Sequence, residues 1–234
     1  MSFIKAYKLT FSYNGNKKIF DEISFEIHKN RKTALLAPNG AGKTTFAMLL
    51  LGFLKPYLGY LSCLEMEVQK DNIKKIRNRT GFLFQDPDSQ LFMPTVFDDI
   101  ALGKKQNNDN DIDVQKATMD LIDYFDLRDL KDLYPGNLSL GQKRIVAIAG
   151  IINSCVDAII LDEPSSQLDA RSIKKQIDVL KRIEKDMLII SHDIDFVKKL
   201  CDDAVIIDKG KLVAEGPVKE VLDDRDMLEK HGLI

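Results

Sequence analysis

Residues 36–45 read LAPNGAGKTT, in which Gly40 and Gly42 lead directly into Lys43, Thr44 and Thr45. Glycines so placed let backbone N–H groups close around phosphate oxygens, and the positive end of a following helix adds to the attraction. In such a loop Lys43 reaches the β- and γ-phosphates of a nucleotide and Thr44 offers a hydroxyl to Mg²⁺, with Asn39, Ala41 and Thr45 completing the cradle. The usual pattern, G-x-x-x-x-G-K-[ST], opens on a glycine where this chain has Ala37. Were a positive φ required there, the β-carbon would cost about 1–2 kcal/mol. The N–H of Ala37 is kept, so the expectation is attenuated binding at most.

A second pair of reactive groups follows an apolar run. AIIL, residues 158–161, leads to Asp162, Glu163 and Pro164. A buried strand that delivers two carboxylates to its C-terminal end places them where parallel sheets bind ligands. Asp162 suits a contact to Mg²⁺ or its water, and Glu163 suits a general base that polarises an attacking water. By itself LDEP also reads as a strand end and a helix-starting turn. The phosphate loop upstream favours the catalytic reading.

Between these stretches lies LSLGQKR, residues 138–144, ahead of an apolar helix. Here the chain resembles the ATP-binding cassette family, whose signature usually reads LSGGQ, and the resemblance runs through essentially the whole chain in order. It implies that Tyr13 in FSYNG stacks on adenine, that Gln85 is the loop glutamine sensing Mg²⁺ and the transport partner, and that SSQLD, ending at Asp169, is a dimer-contact loop. It implies too that His192 in IISHD is the switch histidine facing the γ-phosphate. Ser139, Gly141 and Gln142 would present a helix start to a nucleotide held by another subunit. Leu140 replaces the first glycine of the signature and adds bulk beside that contact.

The stretch QDPDSQLFMPTVFDDIALG, residues 85–103, is similar to the ATPases of energy-coupling-factor importers, which take up vitamins, cobalt or nickel. The implied machine is a head-to-tail pair of cassettes with ATP at the interface, joined to a transmembrane coupling subunit and a substrate-capture subunit at the cytoplasmic face of the membrane. Leu91, Phe92 and Met93, expected to be exposed, could give an apolar groove to a partner helix. Whether the second cassette is an identical copy or a related chain stays open. So do two other readings: a soluble cassette ATPase acting on DNA or ribosomes, and a slow nucleotide-binding regulatory subunit.

The elements needed to position these groups can be read from periodicity. Residues 3–13 and 19–28 alternate around NGNKK and predict antiparallel strands. KTALLA predicts a buried strand entering the phosphate loop, with a helix from Lys43. Strands near 59–68, a helix over 71–79 and a strand over 80–85 follow. KKQNNDNDID, residues 104–113, reads as a surface loop, and 114–133 as helix. Strands over DAIILDE and DMLIISHD and a hairpin turning at Lys209–Gly210 complete the pattern. Alternating strands and helices predict an α/β, P-loop NTPase (RecA-like) core with a mostly parallel sheet, an N-terminal antiparallel β subdomain and an inserted helical subdomain. The expected division is a core of 1–84 and 157–220, a helical subdomain of 85–156 and a short tail of 221–234.

At 234 residues one core with an insertion is the expectation, and 34 basic against 36 acidic residues give no charge bias toward nucleic acid. Cys63, Cys155 and Cys201 are far apart with no C-x-x-C spacing, which fits thiols in a reducing compartment and no zinc site. His28 and His231 match no motif and read as surface residues. The apolar run 145–161 is broken by Asn153, Ser154 and Asp157, so two shorter buried elements are expected in place of a membrane span.

Overall fold

A computed structural model describes residues 1–15, 17–105 and 110–234. The predicted NGNKK turn and the 104–113 loop therefore lie partly outside the described residues. The chain forms two compact units, one of residues 1–78 and 184–234, the other of residues 79–183.

The first unit opens with β1 (Ser2–Phe11) and β2 (Phe20–His28), an antiparallel pair. Strand β3 (Lys32–Leu36) then runs buried into the phosphate loop, and α1 (Lys43–Leu50) follows it. Strands β4 (Leu58–Cys63) and β5 (Met66–Glu67) join the others in an antiparallel sheet of order β2-β1-β4-β5, and α2 (Lys70–Arg79) closes this part of the chain. Phe46 anchors α1 by meeting the rings of Phe20 and Phe25 at 6.1 and 5.5 Å. Buried aromatic pairs of this kind add about 0.5–1.5 kcal/mol beyond their area.

The second unit begins with β6 (Thr80–Leu83), followed by α3 (Val96–Lys105), α4 (Asp111–Tyr124), α5 (Leu140–Asn153), β7 (Ala158–Asp162) and α6 (Ala170–Lys181). Strands β6 and β7 pair in parallel, Thr80 with Ala158 through Leu83 with Leu161. The strand expected to reach Gln85 stops at Leu83, because Gln90 folds back and bonds both the Phe82 carbonyl (3.2 Å) and the Phe84 N–H (3.3 Å). Helix α3 lies mostly in residues 96–103, to which periodicity assigns no element, and only its last two residues fall in the stretch read as loop. The helix expected over 114–133 begins at Asp111, where Asn110 accepts from the Asp113 N–H at 2.9 Å, and ends at Tyr124. Asp126 has φ 55°, and the left-handed turn it makes ends the helix.

The chain then returns to the first unit through β8 (Asp186–Ser191), α7 (Ile194–Leu200), β9 (Asp203–Asp208), β10 (Lys211–Pro217), α8 (Val218–Val221) and α9 (Arg225–Lys230). Strand β3 pairs in parallel with both β8 and β9, and β10 lies antiparallel to β9. Lys209 and Gly210 form the expected hairpin turn with φ of 47° and 75°. Residues read as a tail belong to a core instead: Val221, Leu222 and Leu228 pack with Ala34, Leu36, Ala204 and Ile206. His231, read as a surface residue, is half-buried and its Nδ1 lies 2.9 Å from the Asp208 carboxylate. The 145–161 run divides into α5 and β7, and no helix among the described residues is long and apolar enough to cross a membrane.

Candidate nucleotide site

In the first unit the phosphate loop joins the C-terminal end of β3 to the start of α1. Gly40 and Gly42 sit at φ 79° and 98°, and a β-carbon on Gly42 would come within 2.5 Å of Ile19 Cγ2. Both positions that need glycine have it. Ala37 is absent from the positive-φ positions and is buried, so its β-carbon meets no backbone penalty. Its carbonyl accepts from Lys43 Nζ at 2.9 Å, and the same ammonium lies 3.3 Å from Asn39 Oδ1. Lysine and loop are thus preorganised on one another. No side chain caps α1 at Gly42, so the helix presents backbone N–H groups and a positive dipole end to an anion. Thr44 is exposed at that end, whereas Thr45 is buried and bonds the Tyr13 hydroxyl at 3.0 Å. That bond, with an edge contact to Phe11 at 5.0 Å, fixes a ring that is 57% exposed and able to stack on a planar base. His192 follows β8 on the same unit and is exposed, immediately before Asp193 caps α7.

The second unit carries the other candidates. Asp162 ends β7 and Glu163 follows it, with 4% and 5% exposure. Glu163 has φ 47°, a left-handed conformation that non-glycine residues adopt at a cost and that recurs at functional sites. Gln85 is exposed just beyond β6, and Asp86 next to it accepts from the Asp88 N–H at 3.0 Å. Ser139 caps α5: its Oγ accepts from the Gln142 N–H at 3.3 Å, while its own N–H donates to Gln142 Oε1 at 2.8 Å. This reciprocal box satisfies two donors of the helix start. Leu140 is the first residue of α5 with regular backbone, so the lost glycine costs no strain there. Gly141 is different, because a β-carbon would press to 2.8 Å of Ser172 Oγ on α6. Asp169 caps α6 through the Ser172 N–H at 2.8 Å, and this bond holds its carboxyl below the usual carboxylate range.

Sequence reasoning missed two residues of this unit. Asp99 on α3 is buried and accepts from the N–H groups of Phe92 and Met93, both at 3.2 Å, which shapes the segment after Gln85. Burial pushes its carboxyl above the usual range, and those two bonds oppose the shift. Among the described residues Arg144 is the largest fully buried side chain, and it bonds the carbonyls of Gln85, Pro164 and Ser166. Its signal was visible as a charged residue inside an apolar helix. Leu91 and Phe92 line a cleft of about 230 Å³ with Gln90, Leu102, Ala147 and Ile151. Of the three apolar residues expected to be exposed there, only Phe92 is, at 67%; Leu91 and Met93 are half-buried.

Residues 20–166 match the family described as ABC transporter. An ABC transporter ATP-binding protein of Streptomyces coelicolor is 36% identical over 96% of this chain and 86% of its own length. The energy-coupling factor transporter ATP-binding protein EcfA of Carboxydothermus hydrogenoformans is 35% identical over 98% of this chain and 86% of its own. Among solved structures, the CbiO protein of Clostridium perfringens, part of an ABC transporter complex, superposes with a TM-score of 0.88 at 30% identity, covering 98% of this chain and 94% of that one. A dimeric ATP-binding cassette bound to ADP and phosphate gives a TM-score of 0.78 at 20% identity, over 92% of this chain and 98% of that one, and so shares the fold. The loop, the paired carboxylates and the capped signature helix agree with these matches: the chain belongs to the ABC transporter family, as a nucleotide-binding subunit whose activity is ATP hydrolysis.

Proposed function

We propose that the chain is the ATPase of a membrane importer of the energy-coupling-factor type, lying at the cytoplasmic face and powering uptake of a vitamin or transition-metal ion. The observation that carries this reading is the full-length likeness to EcfA and CbiO. The Leu91–Phe92 cleft adds physical support, since a groove of mixed apolar and polar lining beside an exposed aromatic can receive a partner's amphipathic helix.

Tyr13 would stack on adenine, and the N–H groups of residues 39–45 with Lys43 would take the phosphates. The oxygen donors of Thr44, Gln85 and Asp162 suit a hard cation and would hold Mg²⁺, which supplies charge neutralisation on the β- and γ-phosphates. Glu163 would accept a proton from the attacking water, and His192 would hydrogen-bond the γ-phosphate. Ser139, Gly141 and Gln142 would meet the γ-phosphate of ATP bound on a second cassette. Since ATP bridges two chains only when they are closed together, its binding energy favours the closed pair, and hydrolysis lets it open.

Two linked measurements test this. Affinity purification of the tagged chain from native membranes should bring down a hydrophobic coupling subunit, a substrate-capture subunit and the second cassette, identical or related. Recovery with ribosomal or DNA-repair proteins would overturn the importer reading. Glu163→Gln should abolish phosphate release and accumulate ATP-bound pairs. Unchanged release would remove Glu163 from the role of base.

A further inference from the structure

The guanidinium of Arg144 lies one turn and a half into α5, counted from the capping Ser139, and is 1% exposed. Nη1 donates to the carbonyls of Pro164 and Ser166 at 2.6 and 2.7 Å. Nη2 donates to the Gln85 carbonyl at 3.2 Å and to Ser166 Oγ at 3.0 Å. One planar group therefore joins three segments of the second unit: the helix that starts at the signature serine, the turn after the carboxylate strand, and the turn that bears the loop glutamine. The clamped turn is bounded by two left-handed non-glycine residues, Glu163 at φ 47° and Gln167 at φ 61°. Such conformations cost of order 1–3 kcal/mol each and persist only where the surroundings impose them. Two of the carbonyls that Arg144 holds, those of Pro164 and Ser166, lie between them.

Stability alone does not account for a charge at this place. Nε of Arg144 has no hydrogen-bond partner among the described residues, and burial lowers the affinity of the guanidinium for its proton, with Asp86 and Glu163 opposing. Well-packed apolar side chains commonly replace buried ionic groups at no loss. What only a fork of N–H donors can do is bond several carbonyls of separate loops in one plane.

We infer that Arg144 is a positioning residue for hydrolysis: it holds the Glu163 turn and the Gln85 turn in one frame fixed to the signature helix. The inference rests on Glu163 as base and Gln85 as loop glutamine. In the full chain, assembled with its partner cassette, Mg-ATP hydrolysis should be compared for the parent, Glu163→Gln, Arg144→Lys and Ser166→Ala. Arg144→Lys keeps the charge and loses the fork. Its kcat should fall about tenfold or more, with KM for ATP within about twofold of the parent, because Tyr13 and the phosphate loop are untouched. Ser166→Ala removes one acceptor and leaves every carbonyl in place, so it should fold normally and lose about threefold in kcat at constant KM. A merely structural arginine would lower the melting temperature and the folded fraction while kcat per folded molecule stayed constant. That outcome, or parental kcat in Ser166→Ala where Arg144→Lys fails to fold, overturns the inference. A parent without ATPase activity, or an active Glu163→Gln, would instead overturn the functional reading.

Discussion

Two residues depart from the family's glycines, and backbone geometry separates harmless departures from harmful ones. Ala37 and Leu140 have no left-handed backbone, whereas Gly42 has φ 98° and Ile19 against its α-carbon. Ala37→Gly should therefore change ATP affinity by less than about tenfold, and Gly42→Ala should weaken it by more than that, as read by titration with a fluorescent ATP analogue. This contrast was not legible in the sequence, because an alignment position says which residue is usual and only φ says why. The cysteines give a second contrast. Cys155 is exposed with its Sγ 3.8 Å from Lys104 Nζ, while Cys63 is buried and desolvation pushes the Cys201 thiol pKa up. At neutral pH a maleimide should modify Cys155 at least ~10 times faster than either of the others, as measured by mass spectrometry of digests. Faster modification of Cys201 would contradict the burial described here.

At the scale of elements, most strands were legible because a short apolar run bounded by turn residues admits few other readings, as in KTALLA and AIIL. Helix α3 was not: periodicity assigns no element to residues 96–103, where Pro94 just before and the paired Asp98 and Asp99 interrupt the apolar pattern. A local signal was present: Thr95 accepts from the Asp98 N–H at 3.1 Å, the cap expected of T-x-x-D before an apolar run. What no periodicity reveals is that Asp99 turns inward to hold Phe92 and Met93. Its folded-state carboxyl is raised mainly by burial, so the ionised form is disfavoured by folding. The associated stability is greatest below the ordinary carboxylate range and is lost as pH rises through the raised value. Asp99→Asn keeps an acceptor and removes the titration. Parent and variant should be of similar stability near neutrality, and the parent should gain on the variant as pH is lowered toward the ordinary carboxylate value. Asp99→Ala should cost about 1–3 kcal/mol by removing the carboxylate that accepts from two partly buried N–H groups. Urea midpoints at neutral and mildly acidic pH would check both.

At the scale of the whole molecule, the fold was legible and the chemistry was divided. The phosphate loop, Tyr13 and His192 belong to the first unit, and Gln85, the signature helix and both carboxylates to the second. Assembly of these into a working site is the part the sequence supplies only through family likeness, because the second half of the nucleotide's contacts would come from another chain. A pair with two-fold symmetry makes a sharp prediction from this division. With Glu163→Gln as background, the chain should form ATP-dependent pairs, and either Lys43→Ala or Ser139→Arg added to it should abolish nucleotide retention. Each change spoils both sites of an identical pair, one through the loop and one through the serine. Mixing the two variants rebuilds one intact site per mixed pair, from Lys43 of one copy and Ser139 of the other. The mixed pair should then retain about half the ATP of a parental pair, measured on sedimented dimers with radiolabelled nucleotide. If the natural partner is a related cassette, the two changes are placed on opposite chains and the same arithmetic applies. Full retention by the Ser139→Arg chain alone would mean that each copy holds its nucleotide without its neighbour.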